Sequence, residues 1–140
     1  LDLIFGSSGC YASLLPDGIY PLATIATNVA PDPNRAVAGA FVVSSSRKDL
    51  NTIEDLKGKT AISGLKDMYF NNQLPLSALT DRKINPENFF SNWERVDYPV
   101  HKVLSAVESG RKDVGLIRAC SIEMLPKEEQ KKFKEALQNA

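Results

Sequence analysis

The sequence lacks an excess of either charge: 17 lysines and arginines balance 17 aspartates and glutamates over 140 residues. Because phosphate backbones are bound through a basic excess, this balance argues against a general nucleic-acid surface. No apolar run approaches the roughly 20 residues that a membrane helix needs, and no targeting peptide is visible. A chain of this length buries about 68–70% of its unfolded surface, which is enough for one well-packed domain.

Histidine and cysteine are scarce, which limits metal and thiol chemistry. The single histidine argues against a His-rich metal site. Cys10 and Cys120 lie far apart and lack the close spacing of a zinc or thioredoxin-like site. We interpret them first as two small buried residues, with a disulfide or a redox-sensitive pair as the alternative. A thiol enzyme would also need a base and an oxyanion-stabilising turn, and no local signature for either is present.

A capped helix is the clearest local pattern. Asn51 is suited to cap the helix, Glu54 to reach back to its first amides, and Gly58 to end it in a left-handed conformation. These residues predict a short helix over about 52–57.

A short strand over 59–63 follows this helix and ends at Gly64, where the chain must leave the sheet. In open α/β sheets, ligands bind just beyond such strand ends. The loop 64–69 is therefore the first candidate for a binding edge.

The other segments alternate between strands and helices. Strands are predicted over 3–5, 20–26, 41–45, 93–98 and 113–119, and helices over 10–15, 74–83, 100–109 and 126–139. The apolar run 114–117 is typical of a strand covered on both faces. Strands separated by helices predict a largely parallel α/β sheet with helices on both sides. We expect Ile62 and Ile117 to lie on neighbouring strands that run in the same direction.

Two stretches resemble one family, and the match spans roughly residues 2–125. They are GAFVVSSSRKDLNTIEDLKGKTAIS and HKVLSAVESGRKDVGLIRACSIEML, which are similar to the phosphate/phosphonate-type branch of periplasmic solute-binding proteins. The second stretch is closer to the extracytoplasmic sensor domains of bacterial histidine kinases. Those domains often carry a DVGxxR-x-x-x-x-E pattern, here Asp113 to Arg118 with Glu123.

The resemblance implies a periplasmic-binding-protein-like fold, a two-lobed clamp that closes on a small ligand. Residues 1–38 would be a remnant of the first lobe and the crossover, 39–125 the second α/β lobe, and 126–140 a charged C-terminal helix. The chain opens as if in mid-strand and has no initiator methionine. We therefore expect a piece of a longer protein, with one lobe and part of the other.

The first-lobe turn supplies the first candidate ligand residues. In the family this turn often reads Asn-Pro-Gly-x-Tyr, and here it reads Ser7, Ser8, Gly9, Cys10 and Tyr11. The hydroxyls of Ser7 and Ser8, with free helix-start amides, suit an anion, although helix capping explains them equally well. Tyr11 offers a ring and a hydroxyl to a ligand, or fills a half-buried position.

The loop after the strand 59–63 departs from the family pattern. Phosphonate binders place a Ser/Thr-rich turn here, whereas this chain has GLKDMY over 64–69. Lys66 either supplies charge to a ligand or is simply solvated. Tyr69, with Met68 and Phe70, indicates a partly apolar ligand face, and core packing is the alternative for Phe70.

His101 and Arg118 complete the predicted site. His101 starts a helix near the place where family members often contact ligand, and its imidazole could donate or accept a hydrogen bond there. Arg118 ends an apolar strand, and its planar guanidinium suits a carboxylate or oxyanion. The alternative for Arg118 is an ion pair with Glu123 or Asp113. Cys120, two residues on, would face the same cleft.

The resemblance implies an extracytoplasmic or periplasmic sensor domain of a two-component histidine kinase. It would recognise a small anionic or polar solute by lobe closure. The same parent chain would carry a membrane-anchored kinase. A dimer is possible. The alternative is the solute-binding protein of an ABC transporter for a phosphonate-like or other oxyanion. A thiol-dependent enzyme is the third hypothesis. No cofactor, metal or nucleic-acid partner is predicted.

Overall fold

A five-stranded mixed sheet lies at the centre of the computed structural model. The structure describes residues 2–6, 8–23, 28, 31–32, 35, 38–97 and 99–136. The strands are β1 (Gly39–Ser44), β2 (Thr60–Gly64), β3 (Asn92–Val96), β4 (Val114–Arg118) and β5 (Phe133–Glu135). Their order is β3-β2-β4-β1-β5. β2 is parallel to both β3 and β4, whereas β1 is antiparallel to β4 and β5.

Short helices connect the strands. The α-helices are α1 (Ser8–Leu14), α2 (Leu74–Asp81), α3 (Pro86–Phe89), α4 (Pro99–Glu108) and α5 (Lys127–Gln130). Single 3₁₀ turns occur at Leu15–Asp17, Glu54–Leu56 and Ala119–Ser121. A π-helical turn, Tyr69–Gln73, leads directly into α2.

Both faces of the sheet are covered, as the sequence predicts. Along β1, Phe41 and Val43 join the core on one face and Val42 joins the core on the other, which follows from the two-residue period of a strand. The second face packs against the apolar stripe of α4, whose Val103 and Val107 are almost fully buried.

Ile62 and Ile117 lie on neighbouring parallel strands, so the central expectation of the sequence analysis is confirmed. Ala61 pairs with Val114, and Ile62 pairs with Gly115. The helices predicted over 74–83 and 100–109 are also present, as α2 and α4. The sheet is less uniformly parallel than predicted, because β1 runs against its two neighbours.

The charged C-terminal helix predicted over 126–140 is wrong in its described part. Only α5 is helical, and β5 then pairs with β1 so that Val42 lies opposite Glu135. The Ala136 amide donates to the carbonyl oxygen of Phe41 at 2.9 Å, and Phe133 is 9% exposed. Burying Phe133 and pairing the open edge of β1 outweigh the helix propensity of the lysines and glutamates. Residues 137–140 lie outside the described part.

The strands predicted near the N-terminus are also wrong where the structure describes them. Residues 3–5 and 20–23 form no strand, and side chains such as Leu3 and Phe5 are 69% and 85% exposed. Strand-forming residues make a strand only when a neighbouring strand pairs with them. Residues 24–26 of the second prediction lie outside the description.

The helix predicted over 52–57 is only the 3₁₀ turn Glu54–Leu56. The carboxylate of Asp55, not that of Glu54, accepts the amides of Asn51 and Thr52, each at 2.9 Å. These two bonds lower the pKa of Asp55. Gly58 has φ 75°, which confirms the predicted left-handed stop. Within the described ranges, none of the helices has the length and apolar character that a membrane crossing requires.

Candidate functional site

The carboxyl ends of β2, β3 and β4 meet at one edge of the sheet, because these strands are parallel neighbours. Gly64, Val96 and Arg118 are the last residues of the three strands. The antiparallel β1 begins at the same edge, with Gly39 opposite Arg118. Ligands of open α/β sheets bind at such an edge, which we call the carboxyl edge.

The segment after β2 folds back over the carboxyl edge. The Met68 amide donates to the carbonyl of Leu65 at 2.9 Å, which closes a tight turn. Lys66 and Asp67 are exposed in this turn. A Cβ added to Gly64 would lie 2.7 Å from Met68 Sδ and 3.0 Å from Asn71 Cβ, so the returning segment packs closely against the end of β2.

Buried polar side chains hold this segment from beneath. Ser63 is fully buried, and its hydroxyl accepts from Trp93 Nε1 at 2.9 Å. The hydroxyl proton is shared between the Gly64 carbonyl at 2.8 Å and Asn72 Oδ1 at 3.2 Å. Asn72 Nδ2 in turn donates to the Lys66 carbonyl at 3.1 Å. The Ser63 hydroxyl therefore serves the fold rather than a ligand.

Arg118 is half-buried at the end of β4 and is held by the π-helical turn. Its guanidinium carbon Cζ lies 4.6 Å from the centre of the Phe70 ring, which is within cation–π range. Its backbone amide donates to Asn71 Oδ1 at 3.2 Å. Tyr69 packs edge-on against Phe70, with 5.1 Å between the ring centres.

The two carboxylates proposed as partners of Arg118 bind other arginines. Glu123 pairs with Arg35, which also pairs with Glu135, and these bonds raise the pKa of Arg35. Asp113 accepts from Arg47 Nη1 at 2.5 Å. Neither predicted ion pair of Arg118 is among the ion pairs of the described residues.

Asp113 also accepts the amide of Thr60 at 2.9 Å and its hydroxyl at 2.8 Å. Burial acts to raise the pKa of Asp113, but the bonds from Thr60 and Arg47 outweigh it, so the pKa lies below its usual value. The ionised group therefore stabilises the fold above the unfolded carboxyl's pKa of about 4. That stabilisation is lost as the pH falls through the lowered pKa.

Four of the predicted ligand residues follow the three parallel strand ends. Lys66 and Tyr69 come after β2, His101 lies exposed in the first turn of α4 after β3, and Arg118 ends β4. The topology thus places two cations, a histidine and a tyrosine along the carboxyl edge.

Of the three first-lobe candidates, Tyr11 is the one whose side chain the structure describes. Ser7 lies outside the described residues, and Ser8 begins α1 with a side chain that also lies outside the description. Tyr11 is half-buried in α1. Among the described elements, α1 packs mainly against the turn Leu15–Asp17.

The two cysteines, both within the described residues, occupy different environments. Cys10 is exposed in α1, whereas Cys120 is buried in the turn Ala119–Ser121. They form no disulfide.

A cavity of about 170 Å³ lies beside the carboxyl edge, between β1, β5 and α2. Apolar residues such as Phe41, Ile53 and Leu74 form much of its wall, with Glu135. With a mostly apolar wall and the carboxylate of Glu135, this cavity is unsuited to an anionic solute.

Ser63, Asn71 and Asn72 were missed by the sequence analysis. The available signal was the run NNQ over 71–73, directly before Leu74 and Pro75 at the start of α2. Consecutive amides at a helix start suggest side-chain bonds to nearby backbone groups, although not which groups these are.

Comparison with known proteins gives one family match. The model of a family described as the periplasmic substrate-binding protein of phosphonate ABC transporters matches residues 1–137. No curated protein sequence matches this chain.

Several solved structures share the fold. A binding protein component of an ABC phosphonate transporter from Pseudomonas aeruginosa is 17% identical, with a TM-score of 0.57 over 70% of this chain and 34% of its own. A methylphosphonate-bound protein from Prochlorococcus marinus is 18% identical, with a TM-score of 0.60 over 74% and 41%. An ATP-bound protein from Xanthomonas citri is 16% identical, with a TM-score of 0.58 over 73% and 41%. This chain therefore spans well under half the length of each.

Proposed function

Because this chain belongs to the phosphonate-type family of periplasmic substrate-binding proteins of ABC transporters, we propose that it captures a small oxyanion for transport at the carboxyl edge. The family is one of binding proteins rather than enzymes, and its location is the periplasm. Arg118, held at the end of β4, is the observation on which the proposal mainly rests.

The guanidinium of Arg118 is suited to an oxyanion. Its planar fork binds two oxygens of a carboxylate or phosphonate at once. The Phe70 ring, 4.6 Å from Cζ, restricts where the guanidinium can lie. A side chain held in place loses less conformational entropy when it binds, which favours affinity.

Two further sources of positive potential lie along the same edge. Lys66 is exposed in the turn after β2. The ten-residue helix α4 begins just after β3, and the amino end of a helix attracts anions. Asp67, exposed beside Lys66, offsets part of this charge, so Arg118 and the start of α4 are the main features that favour a negatively charged solute.

The hydroxyl-rich turn of phosphonate binders is not reproduced here. The loop 64–69 has no serine or threonine, and the nearby Ser63 hydroxyl is fully buried and engaged with Trp93. Charge rather than hydroxyl groups would therefore recognise the oxyanion. The ligand class includes carboxylates as well as phosphonates.

The comparisons favour the transporter alternative over the sensor domain. The family match concerns a transporter component, and neither it nor the three structures above concerns a histidine kinase. The kinase, a membrane attachment and a dimer stay predictions.

Anion titration tests the proposal. Methylphosphonate, inorganic phosphate and acetate are titrated by calorimetry into the wild-type protein, Arg118→Ala, Arg118→Lys and the control Arg111→Ala. Arg111 is an exposed arginine that pairs with Glu94 before β4 begins, away from the carboxyl edge. We expect Arg118→Ala to raise the Kd of a bound anion at least about tenfold, a loss of about 1.4 kcal/mol. Arg118→Lys keeps the charge without the fork and should lose less, and Arg111→Ala should bind as the wild type.

Equal affinities for wild type and Arg118→Ala would remove Arg118 from the site. Failure of the wild type to bind any of the three anions would contradict the oxyanion proposal itself.

A further inference from the structure

A chain of buried hydrogen bonds runs beneath the carboxyl edge, with Asn72 at its centre. We propose that Asn72 is a positioning residue for the ligand site: it fixes the loop that carries Lys66 and, through the π-helical turn, the end of β4 that carries Arg118. The ligand part of this inference rests on the proposed function, whereas the positioning part does not.

Asn72 links three separate segments of the chain. It is 3% exposed, and its Oδ1 lies 3.2 Å from the hydroxyl of Ser63 on β2. Its Nδ2 donates to the Lys66 carbonyl at 3.1 Å, and Trp93 Nε1 on β3 donates to the same Ser63 hydroxyl at 2.9 Å. Buried polar groups are costly unless they are hydrogen-bonded, so any displacement of the loop would leave several of these groups without a partner.

The same turn reaches Arg118 from its other side. Asn71 Oδ1 accepts the Arg118 amide at 3.2 Å, and the Phe70 ring lies 4.6 Å from the guanidinium carbon. Phe70, Asn71 and Asn72 are consecutive in the turn Tyr69–Gln73. A shift of Asn72 therefore moves the two groups that hold Arg118.

The π-helical geometry makes this double attachment possible. The turn is closed by the Leu74 amide donating to the Tyr69 carbonyl, five residues back, and the Gln73 amide donates to the Met68 carbonyl at 3.1 Å. Such wide turns are rare in proteins, but those that occur are often found at functional sites. Here the turn lets adjacent asparagines bind β4 on one side and the β2 loop on the other.

A role in packing alone predicts a different outcome from a positioning role. If Asn72 only fills space, an apolar residue of similar size should replace it with little effect. Any destabilisation that does occur should be spread over the whole domain. A positioning residue, when exchanged in that way, loosens one segment and leaves the rest unchanged.

Asn72→Leu is the test variant, because it keeps the branching and the number of non-hydrogen side-chain atoms of Asn72 and loses both hydrogen bonds. Gln73→Ala is the matched control, since Gln73 Nε2 donates to the same Lys66 carbonyl at 3.2 Å from an exposed position. Amide hydrogen exchange is measured across the full chain. In Asn72→Leu, we expect exchange at residues 65–71 and at Arg118 to rise at least tenfold, while exchange in β1 and in the C-terminal half of α4 stays unchanged. In Gln73→Ala, exchange at the same residues should rise less than threefold.

Ser63→Ala provides a second variant should Asn72→Leu fail to fold. It removes the partner shared by Asn72 and Trp93, so it should loosen the same segment. It should also shift the fluorescence of Trp93, which is the only tryptophan of the chain. Exchange that rises evenly over the whole domain in the variant that folds, or no rise over 65–71, would overturn the positioning role.

The ligand part is tested with methylphosphonate and inorganic phosphate. We expect Asn72→Leu to raise the Kd of the bound probe at least tenfold and Gln73→Ala to stay within twofold of wild type. Wild-type affinity in an Asn72→Leu protein with a loosened loop would overturn the link to binding. If the wild type binds neither probe, the oxyanion proposal fails, and hydrogen exchange still decides whether Asn72 holds the edge.

Discussion

Replacing Gly115 with alanine tests how closely α4 is seated on the sheet. A Cβ at Gly115 would lie 2.3 Å from Val103 Cγ1, 3.0 Å from Val42 Cγ1 and 3.2 Å from Val107 Cγ2. Carbon atoms in good contact are about 3.5–4.0 Å apart. The nearest contact therefore falls short by about 1.2 Å, and either α4 moves or Val103 leaves its rotamer.

The expected destabilisation follows from opposing terms. Overpacking a well-packed core costs about 1–3 kcal/mol, and three buried branched side chains around one new methyl place Gly115→Ala near the upper end. Burial of the methyl group adds about 0.8 kcal/mol to the free energy of unfolding. The reduced conformational freedom of the unfolded chain adds about 0.4–1 kcal/mol more. We expect a net loss of about 1–2 kcal/mol in the free energy of unfolding.

Urea unfolding of a double-mutant cycle measures this effect. Val103→Ala alone should destabilise the protein by about 1–3 kcal/mol, because it leaves a cavity at a fully buried position. In the double variant the methyl on residue 115 enters the space that Val103 vacates, so the two losses should fall short of their sum by at least about 1 kcal/mol. Additive losses, or a Gly115→Ala protein as stable as wild type, would refute the close approach of α4 to β4.

Two further predictions concern titration and thiol exposure. Asp113→Asn should lose about 2 kcal/mol of unfolding free energy at pH 7, and the loss should shrink as the pH falls through the lowered pKa of Asp113 and the wild-type carboxylate becomes protonated. Urea unfolding over a series of pH values, with the exposed Asp81→Asn as control, checks this. A loss that does not change with pH would contradict it. Iodoacetamide at neutral pH should label the exposed Cys10 much faster than the buried Cys120, and mass spectrometry showing similar rates would place Cys120 at the surface.

The elements with strong periodicity could be predicted from the sequence. The stripe of valines and leucines gave α4, and the apolar run 114–117 gave β4, because the core that each buries is encoded in its own pattern. β5 could not be found in this way. Its residues read as a charged helix, and only the open edge of β1, about 90 positions earlier in the chain, makes a strand of them.

The candidate site also has parts that the sequence could predict and parts that it could not. Arg118 at a strand end and the loop after β2 were predictable, since both lie next to a recognisable strand. The partners of the nearby acids were not, because Arg35 contacts Glu123 across 88 positions and Arg47 contacts Asp113 across 66. Local patterns predict elements, whereas long-range pairs depend on the topology that assembles them.

The composition of the carboxyl edge has a consequence for selectivity. A guanidinium binds planar carboxylates and tetrahedral phosphonates alike, because both offer two oxygens at suitable spacing. A turn of hydroxyl groups could distinguish these shapes, but here the Ser63 hydroxyl faces the buried amide of Asn72. If the carboxyl edge binds an oxyanion as proposed, the shape of the loop around Lys66 would contribute to discrimination, so the rigidity that Asn72 provides would affect which oxyanion fits as well as how tightly it binds.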